Sequence, residues 1–347
     1  MASGKIENLV WYTDKNAVER DEVGIRHSFM AALATALNHI DGHIDPVGLM
    51  GGSGFAFRIF VNETMCPSAM SIFDWMGILP EVVEQAEHDC YYASRLWDEE
   101  KIEAERRQQA HELIMTAIGN GIPAVVWDIA DAEWGLISGY DDDRGQYNTM
   151  TWTGTPANLP YTRLGKNGID ILSVTVPGGP NGRGRDEIIY NALTTAVNHA
   201  EQKEWTDRPK YQNGLAAYDM WATIYDRWAM LVEAGKTDNI GADLDHFARY
   251  YSSHYYSARC YARDFIKSIA LDNQALNQAA NAYARVAENL KPVWQQSPRD
   301  KAPNIDLLGQ LAKHIRQAKV DEDEAIGHIK QFLTRKDDSG RASLSME

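Results

Sequence analysis

Cysteine is scarce in this chain of 347 residues, which has only Cys66, Cys90 and Cys260. Three scattered thiols cannot make a disulfide framework or supply the paired spacing of a zinc knuckle, so reduced thiols in a cytosol are the expectation. Positive charge is short too. With 34 Lys and Arg against 49 Asp and Glu, the formal net charge is -15. That balance argues against a generic nucleic-acid or anionic membrane surface binder, because both need clustered cations. Long apolar runs are missing as well. The opening Met1-Ala2-Ser3-Gly4-Lys5-Ile6-Glu7 has no signal-peptide core, and no later run is long enough to span a bilayer. A cytoplasmic protein is expected. No fixed-period repeat is evident, which argues against a solenoid.

What is present is apolar bulk. Ten Trp, 16 Tyr and eight Phe supply large side chains for cores or a ligand pocket. Phe29, Leu33, Ala36, Leu37 and Ile40 recur at helical spacing, so residues 28–40 are expected to form a buried helix ended by Gly42. The amphipathic stretch 99–118 reads as a second helix. The period then changes. Residues 122–127 and 134–140 read as strands, the turn Asp141-Asp142-Asp143-Arg144-Gly145 leads into a returning arm over 146–152, and 169–176 forms another strand. Helices first and antiparallel strands second define an α+β domain.

Pro177-Gly178-Gly179-Pro180-Asn181-Gly182-Arg183-Gly184 reads as a linker. Helical segments follow, starting near Asp186, Gly214, Ala242, Asn273, Ile305 and Asp323. The expected division is an α+β domain over 1–177, a linker over 178–185, an all-α domain over 186–335 and a disordered tail over 336–347. In the helical part Tyr218, Trp221, Tyr225 and Trp228 step at three- and four-residue intervals, the spacing of core or interdomain packing. Aromatics over 246–269 occupy more than one helix face, which predicts several packing neighbours.

Three blocks carry a resemblance. They are Gly24-Ile25-Arg26-His27-Ser28, then Leu49-Met50-Gly51-Gly52-Ser53-Gly54-Phe55-Ala56-Phe57-Arg58, then Gly121-Ile122-Pro123-Ala124-Val125-Val126-Trp127 with Glu133-Trp134-Gly135-Leu136-Ile137-Ser138-Gly139-Tyr140-Asp141-Asp142. They resemble the butirosin-biosynthesis-protein-H-like family, relatives of papain-like bacteriocin-processing peptidases. Tyr211-Gln212-Asn213-Gly214-Leu215-Ala216-Ala217-Tyr218-Asp219-Met220-Trp221 looks like the same family's C-terminal extension. The resemblance implies a papain-like cysteine-peptidase fold followed by an all-α domain. It also implies a Cys at the start of the first core helix and a His on a central strand. Here Ser28 and Glu133 stand at those positions.

A serine hydroxyl is far less acidic than a thiol, and a carboxylate is a weak base for an alkoxide, so cysteine-peptidase chemistry is not expected. Ser28 reads either as a nucleophile assisted by His27 or Glu133, or as an N-cap or first-turn serine. Glu133 reads as an acid/base, as a grip for a cationic ligand group, or as a solvated carboxylate at a strand start; Trp127 and Trp134 beside it would desolvate it. Cys66, in Met65-Cys66-Pro67-Ser68, is either a replacement nucleophile or a small buried hydrophobe. Arg58 is either an anion fork or a structural ion-pair partner.

No cofactor is expected: Gly51, Gly52 and Gly54 are not followed by the Gly-Lys-Ser/Thr of a nucleotide loop. No metal is expected either. His39, Asp41, His43 and Asp45 sit at a helix end with no distant fourth ligand, and Met115 stands where His111-Glu112 would need a second His. The leading expectation is a non-peptidase that binds a small metabolite or an acyl or peptidyl group in a cleft lined by Ser28, Glu133, His27, Arg58, Trp127, Trp134 and Tyr140. Two alternatives stand beside it. One is an acyltransferase or amide hydrolase using Ser28 or Cys66, and the other is an interaction protein that dimerises through its aromatic helices.

Overall fold

A computed structural model of the chain describes residues 3–204, 210–236, 243–297 and 304–344, with the backbone alone for 243–246 and 336–344. In chain order the elements begin β1 (Ser3–Lys5), α1 (Lys15–Glu19), α2 (Ser28–Asp41), α3 (Pro46–Gly52), β2 (Phe60–Asn62), α4 (Trp75–Gln85) and β3 (His88–Arg95). Then come α5 (Glu103–Gly119), β4 (Ala124–Trp127), β5 (Trp134–Asp141), β6 (Gln146–Met150), β7 (Pro156–Pro160) and β8 (Leu172–Pro180). The chain continues as α6 (Arg185–Ala200), β9 (Tyr211–Asn213), α7 (Gly214–Glu233), α8 (Asp243–Ala270), α9 (Gln274–Gln295) and α10 (Ile305–Leu344). The class is α+β with a helical C-terminal region. Among the described residues no helix is long and apolar enough to cross a membrane.

The elements fall into two compact units that alternate along the sequence. One comprises Met1–Lys15, Ile25–Leu49 and Asp74–Arg183; the other comprises Asn16–Gly24, Met50–Phe73 and Gly184–Glu347. The expected first domain over 1–177 therefore needs correction, because two of its segments belong with the C-terminal helices. The reason is apolar partnership. Phe57 stacks edge-on against Phe265 and Tyr283 of the helical unit, and Gly51 leaves no room for a Cβ against the Phe265 side chain.

The first unit is built on an antiparallel sheet of order β3-β8-β4-β5-β6-β7, with β1 added on β5. Period-two alternation sends Ala124 and Val126 to one face, where Ala110, Ile114 and Ala117 of α5 cover them. The opposite face carries Trp127 and Trp134, which are cross-strand partners. Phe29 of α2 and Trp75 of α4 pack there. α2 is buried along most of its length, as its spacing predicts, and ends at Gly42 in the left-handed region at φ 74°. The expected linker begins later than its glycines suggest. Residues 177–180 belong to β8, where Pro177 and Pro180 flank an irregularity opposite β3 that tolerates a missing N–H.

The second unit holds helices α6–α10 and the short β2–β9 ladder. Tyr218, Trp221, Tyr225 and Trp228 are all buried, so the α7 stripe is core. Tyr251, Tyr255, Tyr256, Tyr261 and Phe265 of α8 are buried as well. The helix start expected near Ala242 lies outside the described residues. No separate helix starts at Asp323, since α10 runs on from Ile305 with no proline before that point and its Gly309 falls near the helix start. The stretch expected as a disordered tail overlaps its last turns, and 345–347 lie outside the described residues.

Candidate functional site

Two neighbouring elements create the site. α2 begins at Ser28, with His27 as N-cap in extended conformation, and Glu133 immediately precedes β5. Ser28 Oγ donates to Glu133 Oε2 at 2.5 Å and accepts the backbone N–H of Trp134 at 3.2 Å. Of the two structural roles expected of Ser28, N-cap and first-turn serine, the N-cap falls to His27 and Ser28 is the first residue of the helix. Its oxygen bonds a strand, joining the first helical residue to the sheet, instead of an N–H of its own helix. Ser28 is only 4% exposed, as is His27, while Glu133 is half-buried.

Aromatic rings wall this contact. Trp127 and Trp134 lie 4.3 Å apart between ring centroids, and Trp75 sits 5.0 and 4.6 Å from them. The His27 ring is 5.5 Å from Trp134. Sequence reasoning missed Trp75. The signal available was the capped helix start Phe73-Asp74-Trp75, where the Asp74 carboxylate accepts the Met76 N–H.

The loop before Glu133 is held by a second residue the sequence reading passed over. Asp128 has φ 60°, an uncommon conformation outside glycine. Its buried carboxylate accepts the N–H groups of Gly168 at 2.5 Å and Ile169 at 2.7 Å. Its own N–H donates to the Glu133 carbonyl at 3.0 Å. Asp128 thus closes the turn that presents Glu133.

Other expected members are elsewhere. Tyr140 shares β5 with Trp134 but faces the α5 side of the sheet, packed on the core of Ile114 and Tyr147. A bulge between Ile137 and Gly139 inserts one residue and reverses the strand's parity. Arg58 belongs to the second unit, where its Nε and Nη2 grip the Glu204 carboxylate at 3.1 and 2.5 Å. Glu204 also accepts from His199 Nδ1 at 2.8 Å. Burial works to raise the Glu204 carboxyl, but Arg58 and His199 override it and hold it down to about 2. Arg58 is thereby a structural cation. Cys66 is in the second unit too, half-buried, with Sγ 3.0 Å from Ser68 Oγ.

Chemistry and concavity part company in this molecule. Surface depressions of about 470 and 460 Å3 lie along β3 and on α7, and neither includes Ser28 or Glu133. Convergence of unlike polar groups is the better guide to chemistry here, because a depression alone names no reaction. Asp41 pairs with His88 at 3.1 Å, and among the described residues no three His, Cys, Asp or Glu groups are placed to hold a metal. Compared with known proteins, the chain matches no family model and no curated sequence.

Proposed function

We propose that the chain is a papain-like, non-peptidase protein of the cytoplasm, similar to the butirosin-biosynthesis-protein-H-like family, that binds a small metabolite or an acyl or peptidyl group beside Ser28 and Glu133. The observation that carries this reading is the 2.5 Å contact from Ser28 Oγ to Glu133 Oε2. The hydroxyl proton points at a carboxylate, and an Oγ lone pair is taken by the Trp134 N–H. An alkoxide could form there only by passing its proton to Glu133, a carboxylate far too weak a base to hold it, or by losing the proton elsewhere and standing beside a negative charge; both routes are disfavoured.

The same arrangement suits recognition. A carboxylate has about four lone-pair positions, so Glu133 can accept from Ser28 and still receive an ammonium or amide donor. The ligand class is therefore an acyl or peptidyl group bearing an amine. Calorimetric titration of β-alanine amide against its N-acetylated counterpart tests this. The amine form is expected to bind more tightly, and Glu133→Gln is expected to weaken it by roughly ten- to a hundredfold, the range of a charged hydrogen bond. Equal affinity in the two proteins, or preference for the acetylated form, overturns the reading.

A further inference from the structure

The sheet of the first unit has two edges, and they are treated differently. β7 is bracketed by Pro156 and Pro160 and is five residues long, which blunts it against further pairing. β3, at the other edge, runs for eight residues with no proline and no lysine. Every residue of 89–94 keeps solvent exposure, whereas all four residues of β4 are buried. Large apolar side chains stand in the open on β3 and its flanks: Tyr91 is 55% exposed, Trp97 53% and Met76 51%.

The depression of about 470 Å3 follows this edge. Tyr91 and Tyr92, from opposite faces of the strand, both line it, so it lies along the open backbone and not over one face. Arg106 and Leu113 of α5 and Met76 of α4 complete the walls that matter here. Its size is within the range of ligand sites. The Arg106 guanidinium donates to Gln109 Oε1 at 2.8 Å and makes no ion pair among the described residues. The Glu99 carboxylate at the same groove accepts the Leu96 N–H at 2.9 Å.

From these features we infer that the β3 edge docks an extended, carboxylate-bearing peptide segment of another protein, which adds to the sheet as an eighth strand with its acidic group at Arg106. Backbone pairing supplies affinity in this mode and the flanking pockets supply selectivity. A second copy of this chain fits less well. Two such strands would set the Asp89 of each copy on one seam, whereas the proposed segment brings a single carboxylate, placed at Arg106. The inference is independent of the Ser28–Glu133 reading.

The test uses the full chain and labelled heptapeptides of alternating β-branched residues, ending in either Glu or Lys before a C-terminal amide. Anisotropy and hydrogen exchange over 88–95 are the readouts. The Glu peptide is expected to bind at least about tenfold more tightly than the Lys peptide and to slow exchange in β3. Arg106→Glu should reverse that preference. Tyr92→Pro and Ala93→Pro act as a pair, because N–H groups of an antiparallel edge strand alternate between partner and open side. Each is compared with alanine at the same position, because any substitution of Tyr92 loses its bond to Ser173 Oγ; one proline should melt below that reference, and the other should match it and lose the peptide. Three results overturn the inference: no peptide slows exchange in β3, acidic and basic peptides bind alike, or β3 becomes protected through self-association of the chain.

Discussion

At Ser28 the hydroxyl proton is directed to Glu133 at 2.5 Å and the oxygen is engaged by Trp134. Passing that proton to Glu133 would leave an alkoxide beside a carboxylic acid, and a carboxylate is far too weak a base to hold a serine proton, so the pair is a good hydrogen bond but a poor nucleophile and base. The thiols divide just as clearly. Burial, with the Glu84 charge behind it, pushes the Cys90 thiol up to about 12. Burial, with Glu22, pushes Cys260 up to about 12 as well. Both shifts disfavour thiolate near neutrality; Cys90 on β3 and Cys66 in its loop are alike half-buried, while Cys260 is buried. Limiting N-ethylmaleimide at about pH 7 is therefore expected to give one adduct, mapping to Cys66 by peptide mass. Earlier labelling of Cys260 would contradict its burial, and earlier labelling of Cys90 would contradict the upward shift of its thiol.

The elements show why some of the structure is legible in sequence and some is not. α2 and α5 declare themselves through helical period, and β4 and β5 through β-branched and aromatic runs bounded by turns. β3 does not. His88-Asp89-Cys90-Tyr91-Tyr92-Ala93-Ser94-Arg95 has no alternation of apolar and polar residues, because an edge strand is only half covered. β1, β2 and β9 are three residues each, too short to carry a period. Ser28 and Glu133 are found through their blocks, but the misplacement of Tyr140 follows from a bulge that no residue pattern announces. In the helical unit, Arg259 of α8 is fully buried and donates to both Glu322 oxygens of α10 at 2.8 Å, and to the carbonyls of Ala56 and Arg58 at 3.1 and 3.0 Å. Tyr218 of α7 also donates to Glu322. Glu322→Ala strands this guanidinium, and denaturant unfolding is expected to show a loss of about 3–5 kcal/mol. A loss under about 1 kcal/mol, the range of exposed pairs, would show that the network carries little stability.

At the scale of the whole molecule, a simple split at the glycine-proline stretch is what local sequence suggests. The chain instead alternates between units, because Met50–Phe73 has its apolar partners on α8 and α9 while Asp74–Arg183 has its own in the sheet. Such partnership is set by tertiary packing, so it leaves no local mark. The sheet unit holds Ser28 and Glu133, and the helical unit holds Cys66 and Arg58. The central claim is that the Ser28–Glu133 contact is a recognition element that forms no covalent intermediate. Incubating the full chain with amine-bearing acyl thioesters, followed by intact mass, tests it most directly. The account predicts no acyl adduct at Ser28, in the presence or absence of Cys66. An adduct that survives Cys66→Ser and disappears in Ser28→Ala would contradict it.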